Sequence, residues 1–472
     1  MSITEHSTSL AADLRAEGFA GEAVLPCDAG YDAARAIWNA IHDRRPAVVA
    51  RCTSPRDVAA AIAVARRHDL PLAVRGGGHS IPGHSSCDGG IVADLGPMSR
   101  VEVEPGRRHV RAGGGALLRD LDQATQAYGL AVPAGHVSHT GVAGLTLGGG
   151  IGWTARSRGL TIDSLRSAQV VTAGGQVVEA SEDVNADLFW GLRGGGGNFG
   201  VVTELRFEAQ AVGTTVLGGP LLFELDRAVE AFMTSRAVVE AAGDEMNIYE
   251  VLITVPPAPE FPPELHGRRV LVVGVCWTGA PEAGRRALAP LLALRPALDG
   301  VAPIPYLAQQ TMLDPTAPHG LHTYSRAHWV GRDDEAVITR AVAAFEHVTS
   351  PLAQLIFARM GGAIERVPAE ATAFGHRDAH GLAWLVNSWA PGPDEARFAE
   401  HKAWLDGVAA GLAPYATGVY VNALEDEGPD RVRAAYRQEL WRRLVEVKDR
   451  WDPENVFRLN QNVPPSGWAA AA

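Results

Sequence analysis

Residues 74–80, Val-Arg-Gly-Gly-Gly-His-Ser, set an imidazole directly behind three consecutive glycines. With no Cβ on Gly76, Gly77 or Gly78, backbone N–H groups can curl around an anionic group and bond it directly. His79 then brings a nucleophilic nitrogen to whatever the loop holds, with Arg75 and Ser80 flanking it. A strand ending in an ordinary turn with a surface histidine would have the same pattern. Two further glycine clusters weigh against that reading: 141–153 (GVAGLTLGGGIGW) and 191–207 (GLRGGGGNFGVVTELRF). Each adjoins an apolar, strand-like run, and three such loops in one half of a chain suggest an extended, phosphate-bearing ligand.

One frame, Gly195-Gly196-Gly197-Asn198-Phe199-Gly200, matches the GxGxxG pattern. A nicotinamide-binding loop must lead from a strand into a helix, whose N-terminus takes the pyrophosphate. Here Val-Val-Thr-Glu-Leu-Arg-Phe follows, alternating and β-branched, which is a strand. A Rossmann site is rejected.

The elements that position these loops follow from periodicity. A strand over 44–51, a helix from Ser54 to the stop at Leu70-Pro71 and a strand into Arg75 form a β–α–β unit. Ser54 caps that helix, Pro55 pre-sets its first turn and Asp57 sits near its positive end. A helix is also expected over 31–42 and another over 117–128. Strands are expected over 90–94, 101–103, 170–172, 177–180 and 201–207, with 133–152 a long functional loop. Beyond residue 212 come strands 247–255, 270–277, 321–330, 352–360 and 382–389 and helices 281–294, 333–347 and 394–412. Short connections there favour an antiparallel sheet with helices on one face. Residues 420–422 read as a strand, 430–451 as one long helix, and 457–463 as a polar, proline-stopped tail.

The chain has 472 residues, 46% apolar and 20% charged, with a net charge of −12. That predicts more than one domain, and no broad contact with nucleic acid or anionic membrane, for want of excess Lys and Arg. The first residues carry charges throughout and lack a signal-peptide core, and no apolar run is long enough to span a bilayer, so the expected location is cytoplasmic. Cys27, Cys52, Cys87 and Cys276 are scattered without CxxC, which points to free thiols and no metal site.

Together VRGGGHS, SHTGVAGLTLGGGIGW (138–153), FWGLRGGGGNFGVVT (189–203) and DPENVFRLNQNVPP (452–465) resemble the berberine-bridge-enzyme-like FAD-linked oxidases, which carry the vanillyl-alcohol-oxidase, or PCMH, type of flavin domain. The chain is most similar to bacterial members from secondary metabolism, such as the enterocin-pathway polyketide flavoprotein. The resemblance implies an α+β protein: a two-lobed PCMH-type FAD-binding domain plus an antiparallel-sheet substrate domain with helices on one face. The expected division is 1–211 for FAD, 212–415 for substrate, and 416–472 returning to the FAD-binding part.

It also implies site residues. His79 is the covalent attachment point for the flavin 8α carbon, in a cradle with Arg75, Gly76, Gly77, Gly78 and Ser80. Val137, Ser138, His139, Gly141, Gly144, Gly148, Gly149, Gly152 and Trp153 follow along the second loop. Gly200, Val201, Val202, Asn460 and Asn462 complete the set. Many relatives tether flavin a second time through cysteine where this chain has Val137, so a single histidyl link is expected. Thr140 lies where oxygen would approach, and His136 and His139 are base candidates or simply loop histidines. The family's Tyr-x-Asn-Tyr, whose second tyrosine draws the proton as hydride leaves for flavin N5, reads Tyr420-Val421-Asn422-Ala423 here. Tyr420 and Asn422 remain candidates, while replacements could come from the middle sheet: Tyr249, Glu250, Tyr324, His322, His328, Arg359 or Asn387. His322, Tyr324 and Arg326 share one polar face that suits a binding surface or an exposed edge.

The expected activity is oxidation of a C–H next to oxygen or nitrogen in an alcohol, hemiacetal or natural-product intermediate, with dioxygen as acceptor. The alternatives are a flavin-dependent oxygenase or cyclisation catalyst in polyketide-type metabolism, and an inactive flavin-fold binding protein. The expected partners are a small-molecule substrate and dioxygen, and the expected state is monomer or homodimer.

Overall fold

The computed structural model describes residues 3–332, 334–392 and 394–468; residue 333, from which the sequence starts one helix, lies outside them. The His79 loop leaves a four-stranded sheet ordered Glu22–Val24, Val48–Arg51, Ile91–Asp94, Leu72–Arg75. The last three strands run parallel. Parallel strands need a crossover, and the helix Pro55–Arg67 carries the chain from Val48–Arg51 past Ile91–Asp94 to Leu72–Arg75. Ser54 Oγ accepts the Asp57 N–H, and the Asp57 carboxylate accepts the N–H groups of Thr53 and Ser54. Such a reciprocal cap is worth about 1 kcal/mol. Ile91–Asp94 is buried along its whole length, as a strand covered on both faces must be. The glycines therefore begin at the carboxyl end of a parallel strand, where open α/β sheets bind ligands.

The second sheet is antiparallel, ordered Val101–Glu104, His109–Gly113, Val201–Glu208, Leu165–Val171, Val177–Ser181. The segment after the third glycine cluster is thus a strand with alternating burial, as its β-branched pattern requires.

The largest sheet has nine strands. Its path runs Leu298–Asp299, Thr215–Glu224, Arg269–Trp277, Met246–Thr254, Gln354–Arg359, Gly381–Trp389, His322–Val330, Ala416–Gly418, and Ala302–Pro305 also pairs with Thr215–Glu224. Every pairing in it is antiparallel. The helices Ala228–Ala242, Asp334–Phe345 and Glu395–Leu412 cover one face, burying Phe232, Phe345 and Leu405. Each such side chain contributes about 1.5–3 kcal/mol. The other face packs on the loop-bearing part through Trp153, Tyr249, Trp329, Phe374 and Tyr420, all within one continuous core. The expected architecture, α+β with an antiparallel sheet and helices on one face, is what forms. No helix among the described residues is long and apolar enough to cross a membrane. The four cysteines are free, three buried and Cys27 exposed.

Several local expectations fail for identifiable reasons. The helix over 31–42 stops at Arg35. Beyond it, Trp38 N–H donates to Gly78 O and Ala40 N–H to Leu321 O, so tertiary partners take the donors a helix would use. Strand Thr215–Glu224, with Gly218-Gly219-Pro220 inside it, and helix Ala228–Ala242 lie outside the expected elements. The glycines are there for close approach: a Cβ on Gly219 (φ +124°) would lie 2.2 Å from Gly300 O. The 133–152 loop contains a helix, Val142–Leu147. Residues 281–294 form two short helices, Pro281–Ala287 and Ala289–Ala293, with Pro290 opening the second. The expected 430–451 helix is likewise two, Pro429–Ala434 and Gln438–Trp451, parted where buried Tyr436 turns its hydroxyl to Gly194 O at 3.3 Å. Residues Val421–Ala423 form a 3-10 turn instead of a strand.

Candidate active site

Among the described residues, the backbone N–H groups of Gly76, Gly77, Gly78, His79 and Ser80 donate to no protein acceptor. Five consecutive unpaired donors are rare in a folded chain and mark a place built for an anion. Gly78 sits at φ +71°, which only glycine adopts without strain. The second loop comes against the first at Gly141: a Cβ on Gly77 would lie 2.2 Å from Gly141 N. The N–H groups of Gly141, Ala143 and Gly144 are also unpaired.

Other expected cradle residues are occupied in the fold. Arg75 is buried in an ion pair with Asp94 at 2.9 Å, so its guanidinium anchors the loop and is not free for a ligand. Ser80 Oγ accepts the N–H of His84 at 3.0 Å. Ser138 donates its N–H and hydroxyl to the two carboxylate oxygens of Asp314, at 2.7 and 2.6 Å. Gly148, Gly149 and Gly152 serve close approach to Asn422, Phe374 and Ala134 respectively, and Trp153 is buried beside Gly274. Gly200 abuts Val170, while Val201 and Val202 begin the following strand. Val137 O accepts the Thr140 N–H, and Thr140 O accepts that of Leu118, which shapes the loop.

The tail returns to these glycines. Asn198 Oδ1 accepts the Val463 N–H at 2.9 Å, and Asn460 Nδ2 donates to Gly197 O at 3.2 Å. Lys448, fully buried, donates to Asn198 O, Phe457 O and Asp452, at 2.8, 3.0 and 2.7 Å. Oδ1 of Asn460 and of Asn462 are buried without a partner.

His79 is held by a cluster only the fold assembles. Trp38 stacks on it with ring centroids 4.9 Å apart and planes 16° from parallel. His79 Nε2 lies 2.7 Å from His139 Nδ1. The solvent-facing His319 is 4.8 Å from His139, ring to ring. Burial, and then the neighbouring His139 and His319, pull the His79 imidazole down to about 3, so it is neutral at pH 7. The ring nitrogens of the three histidines come within 4.8 Å of one another. Sequence reasoning missed Trp38 and His319; a lone histidine so far along the chain carries no local signal.

The large sheet roofs this region, and strand parity decides which side chains face it. Tyr249 pairs with Ala358, and Ala358 with Leu382, which pairs with Trp329, so these share the inward face. Thr323, Ser325 and Ala327 follow from Trp329 by alternation. Tyr249 donates its hydroxyl to Gly152 O at 3.3 Å and meets His136 edge-on at 4.2 Å. Burial pushes its phenol well up.

The expectation that His322, Tyr324 and Arg326 line a binding face is overturned. They point to the helices, where Tyr324 donates to Asp406 at 3.1 Å and His328 bonds Ala409 O at 3.1 Å. Glu250 faces the same way in an ion pair with Arg236 at 3.2 Å, as do Arg359 with Glu240 at 3.1 Å and Asn387 with His401 O at 3.1 Å. Of the replacement bases proposed from this sheet, only Tyr249 faces the cradle. A groove of about 1080 Å³ near Arg236, Glu240, Arg340 and Tyr415 also lies on the helix side.

Tyr420 and Asn422 come together despite the failed strand. Asn422 Nδ2 donates to the Tyr420 hydroxyl and to Leu145 O, both at 3.0 Å, and Gly150 N–H donates to the same hydroxyl at 3.2 Å. Burial pushes the Tyr420 phenol up to about 12, against these two donors. Beyond Ala423, Glu425 accepts the Ser325 N–H at 3.2 Å, and burial pushes its carboxyl up to about 7. Next to Ser325 on the inward face, Val251, Val272, Gln354, Ile356, Trp384 and Val386 are only half-buried. Gln354 Nε2 donates to Thr316 O at 3.1 Å, and Asn39 ties Thr323 O to Ile81 O, so this open apolar wall adjoins the histidine cluster.

Five unpaired N–H groups, a cradle that a Cβ would fill and unpartnered amide oxygens in the tail fit a flavin dinucleotide. Comparison with known proteins agrees. Residues 46–181 match the FAD binding domain family and 419–464 the "Berberine and berberine like" family. The chain is 32% identical to (R)-6-hydroxynicotine oxidase of Paenarthrobacter nicotinovorans over 468 residues, covering 95% of this chain and 97% of that one. The structure of 6-hydroxy-D-nicotine oxidase from Arthrobacter nicotinovorans superposes with a TM-score of 0.84 at 26% identity, over 95% of this chain and 98% of that one. Xylooligosaccharide oxidase from Myceliophthora thermophila C1 shares the fold, with a TM-score of 0.83 at 24% identity over 97% of this chain and 100% of that one.

Proposed function

The chain belongs to the berberine-bridge-enzyme-like FAD-linked oxidoreductases, and from that premise we propose an oxidase that takes hydride from a carbon next to nitrogen in a small, largely apolar amine, with FAD held by one covalent bond to His79. FAD, when bound, would supply a hydride acceptor that dioxygen can reoxidise. The observation that carries this reading is the row of unpaired N–H groups ending in a neutral, stacked imidazole. A neutral imidazole keeps the lone pair that covalent attachment needs. Val137 offers no thiol for a second link. Residues 1–211 and 416–472 would hold the cofactor and 212–415 the substrate, although Ala416–Gly418 still pairs with the large sheet.

Position 423 favours nitrogen over oxygen. Hydride loss beside a neutral amine leaves an iminium, and no proton has to depart. The same loss from an alcohol must pass the O–H proton to a base. Ala423 offers none where the family places tyrosine, and Tyr249 and Tyr420 are held as phenols by burial. The half-buried wall of Val251, Val272, Ile356, Trp384 and Val386 suits an apolar body better than an oligosaccharide, whose hydroxyls would be left unpaired there. One relative is named for hydroxynicotine, an amine. Asn422 and the Tyr420 hydroxyl would fix the loop beneath the substrate.

The test is anaerobic mixing of the purified protein with aromatic amines, benzylic alcohols and oligosaccharides while flavin absorbance is followed. Amines should bleach the flavin, and admitting air should restore it with release of peroxide. Bleaching by alcohols or sugars alone would refute the amine assignment, and flavin that stays reduced in air would refute the oxidase.

A further inference from the structure

We propose that His139 is the proton acceptor for covalent attachment of the flavin at His79, and that His319 passes that proton to solvent. The inference rests on the covalent reading above. Two imidazole nitrogens 2.7 Å apart share one proton, so one ring donates and the other accepts. If His139 donated, the His79 proton would sit on Nδ1 and that nitrogen would have no lone pair to offer. With His139 accepting, His79 carries its proton on Nε2 and Nδ1 is the free nucleophile. The ring cannot turn to exchange the two, because Trp38 stacks on its face and donates its indole Nε1–H to Ala317 O at 2.8 Å.

Bond formation at Nδ1 would leave a cationic ring unless the Nε2 proton departs. This pocket disfavours that cation, as the depressed His79 value shows. His139 is already in line to take the proton, and the exposed His319 ring at 4.8 Å opens the way out. Atoms and electrons balance with dioxygen as the oxidant. The flavin 8-methyl carbon loses one C–H proton and gains the C–N bond, and His79 loses its N–H proton. The two electrons released go to dioxygen, which leaves with the two protons as hydrogen peroxide.

The experiment follows acid-stable flavin, measured in acid-precipitated protein, against total bound flavin after FAD is added to full-length chain from riboflavin-limited cells. In the wild type nearly all bound flavin should become acid-stable. His139→Ala should bind FAD yet convert about a hundredfold more slowly, the usual scale of a lost general base. Added imidazole should restore part of the rate. His139→Gln keeps a hydrogen-bond acceptor but cannot take a proton, and should stay slow, which a purely structural role would not predict. His319→Ala should slow conversion less. Conversion of His139→Gln or His139→Ala at the wild-type rate would overturn the proposal. Wild-type protein with no acid-stable flavin would instead refute the covalent link itself.

Discussion

Alanine at position 77 would drive a methyl carbon to 2.2 Å from Gly141 N and 2.6 Å from Gly141 Cα. Ordinary contacts of this kind begin at 3.4 Å, so the deficit is about 1.2 Å. Neither neighbour is a side chain that could swing away. The first and second loops must therefore part, and the unpaired N–H groups of Gly77 and Gly141 can no longer converge on one anion. Hydrogen bonds to a charged group contribute roughly 1.5–3 kcal/mol each. Losing two weakens FAD retention by about 3–6 kcal/mol, or about a hundred- to ten-thousand-fold. The assay is the affinity of FAD for apoprotein from riboflavin-limited cells, titrated before attachment proceeds, beside thermal melting with and without added FAD. Gly106→Ala, on a hairpin turn with nothing within 4 Å of the added carbon, is the control. A Gly77→Ala apoprotein that binds FAD with the wild-type affinity would refute the cradle.

Lys448→Met should destabilise the fold by about 3–5 kcal/mol, because it leaves Asp452 buried without its cation and frees the tail at Phe457; an unchanged melting temperature would count against this. Glu425 titrates near 7 in the fold and near 4.5 unfolded, so the folded chain binds the extra proton between those values. Stability from this group is therefore greatest below pH 4.5 and is lost as pH rises to 7. Glu425→Gln, always neutral, should gain stability over the wild type at pH 8 by on the order of 3 kcal/mol at most, and little at pH 4, as read by denaturant titration. Tyr324→Phe should leave flavin reduction by substrate within about twofold, since the hydrogen bonds it removes, to Asp406 and from Arg326, lie on the helix side of the sheet, away from the cradle. Ser325→Leu, one position along and facing the cradle, should raise KM in steady-state assays.

Much of this protein is local chemistry and was legible in order. Glycine runs cannot hide, the Ser54 cap announces its helix, and the β-branched run after Gly200 excludes a nicotinamide fold. His79 stands out because its neighbours in sequence make it special. Ala423 shows in the sequence that the second tyrosine implied by the resemblance is replaced. What the chain order could not supply is which face of a strand meets the cofactor. Alternation places Tyr324 and Ser325 on opposite sides, but only the packing of the helix Glu395–Leu412 assigns one side to water-free structure and the other to the site. The same holds for Trp38, whose segment abandons its helix because Gly78 and Leu321 bind its backbone, and for His139 and His319, which meet His79 across long loops. Periodicity is a property of neighbours along the chain, whereas orientation and proton contact depend on which distant groups exclude water from the same space.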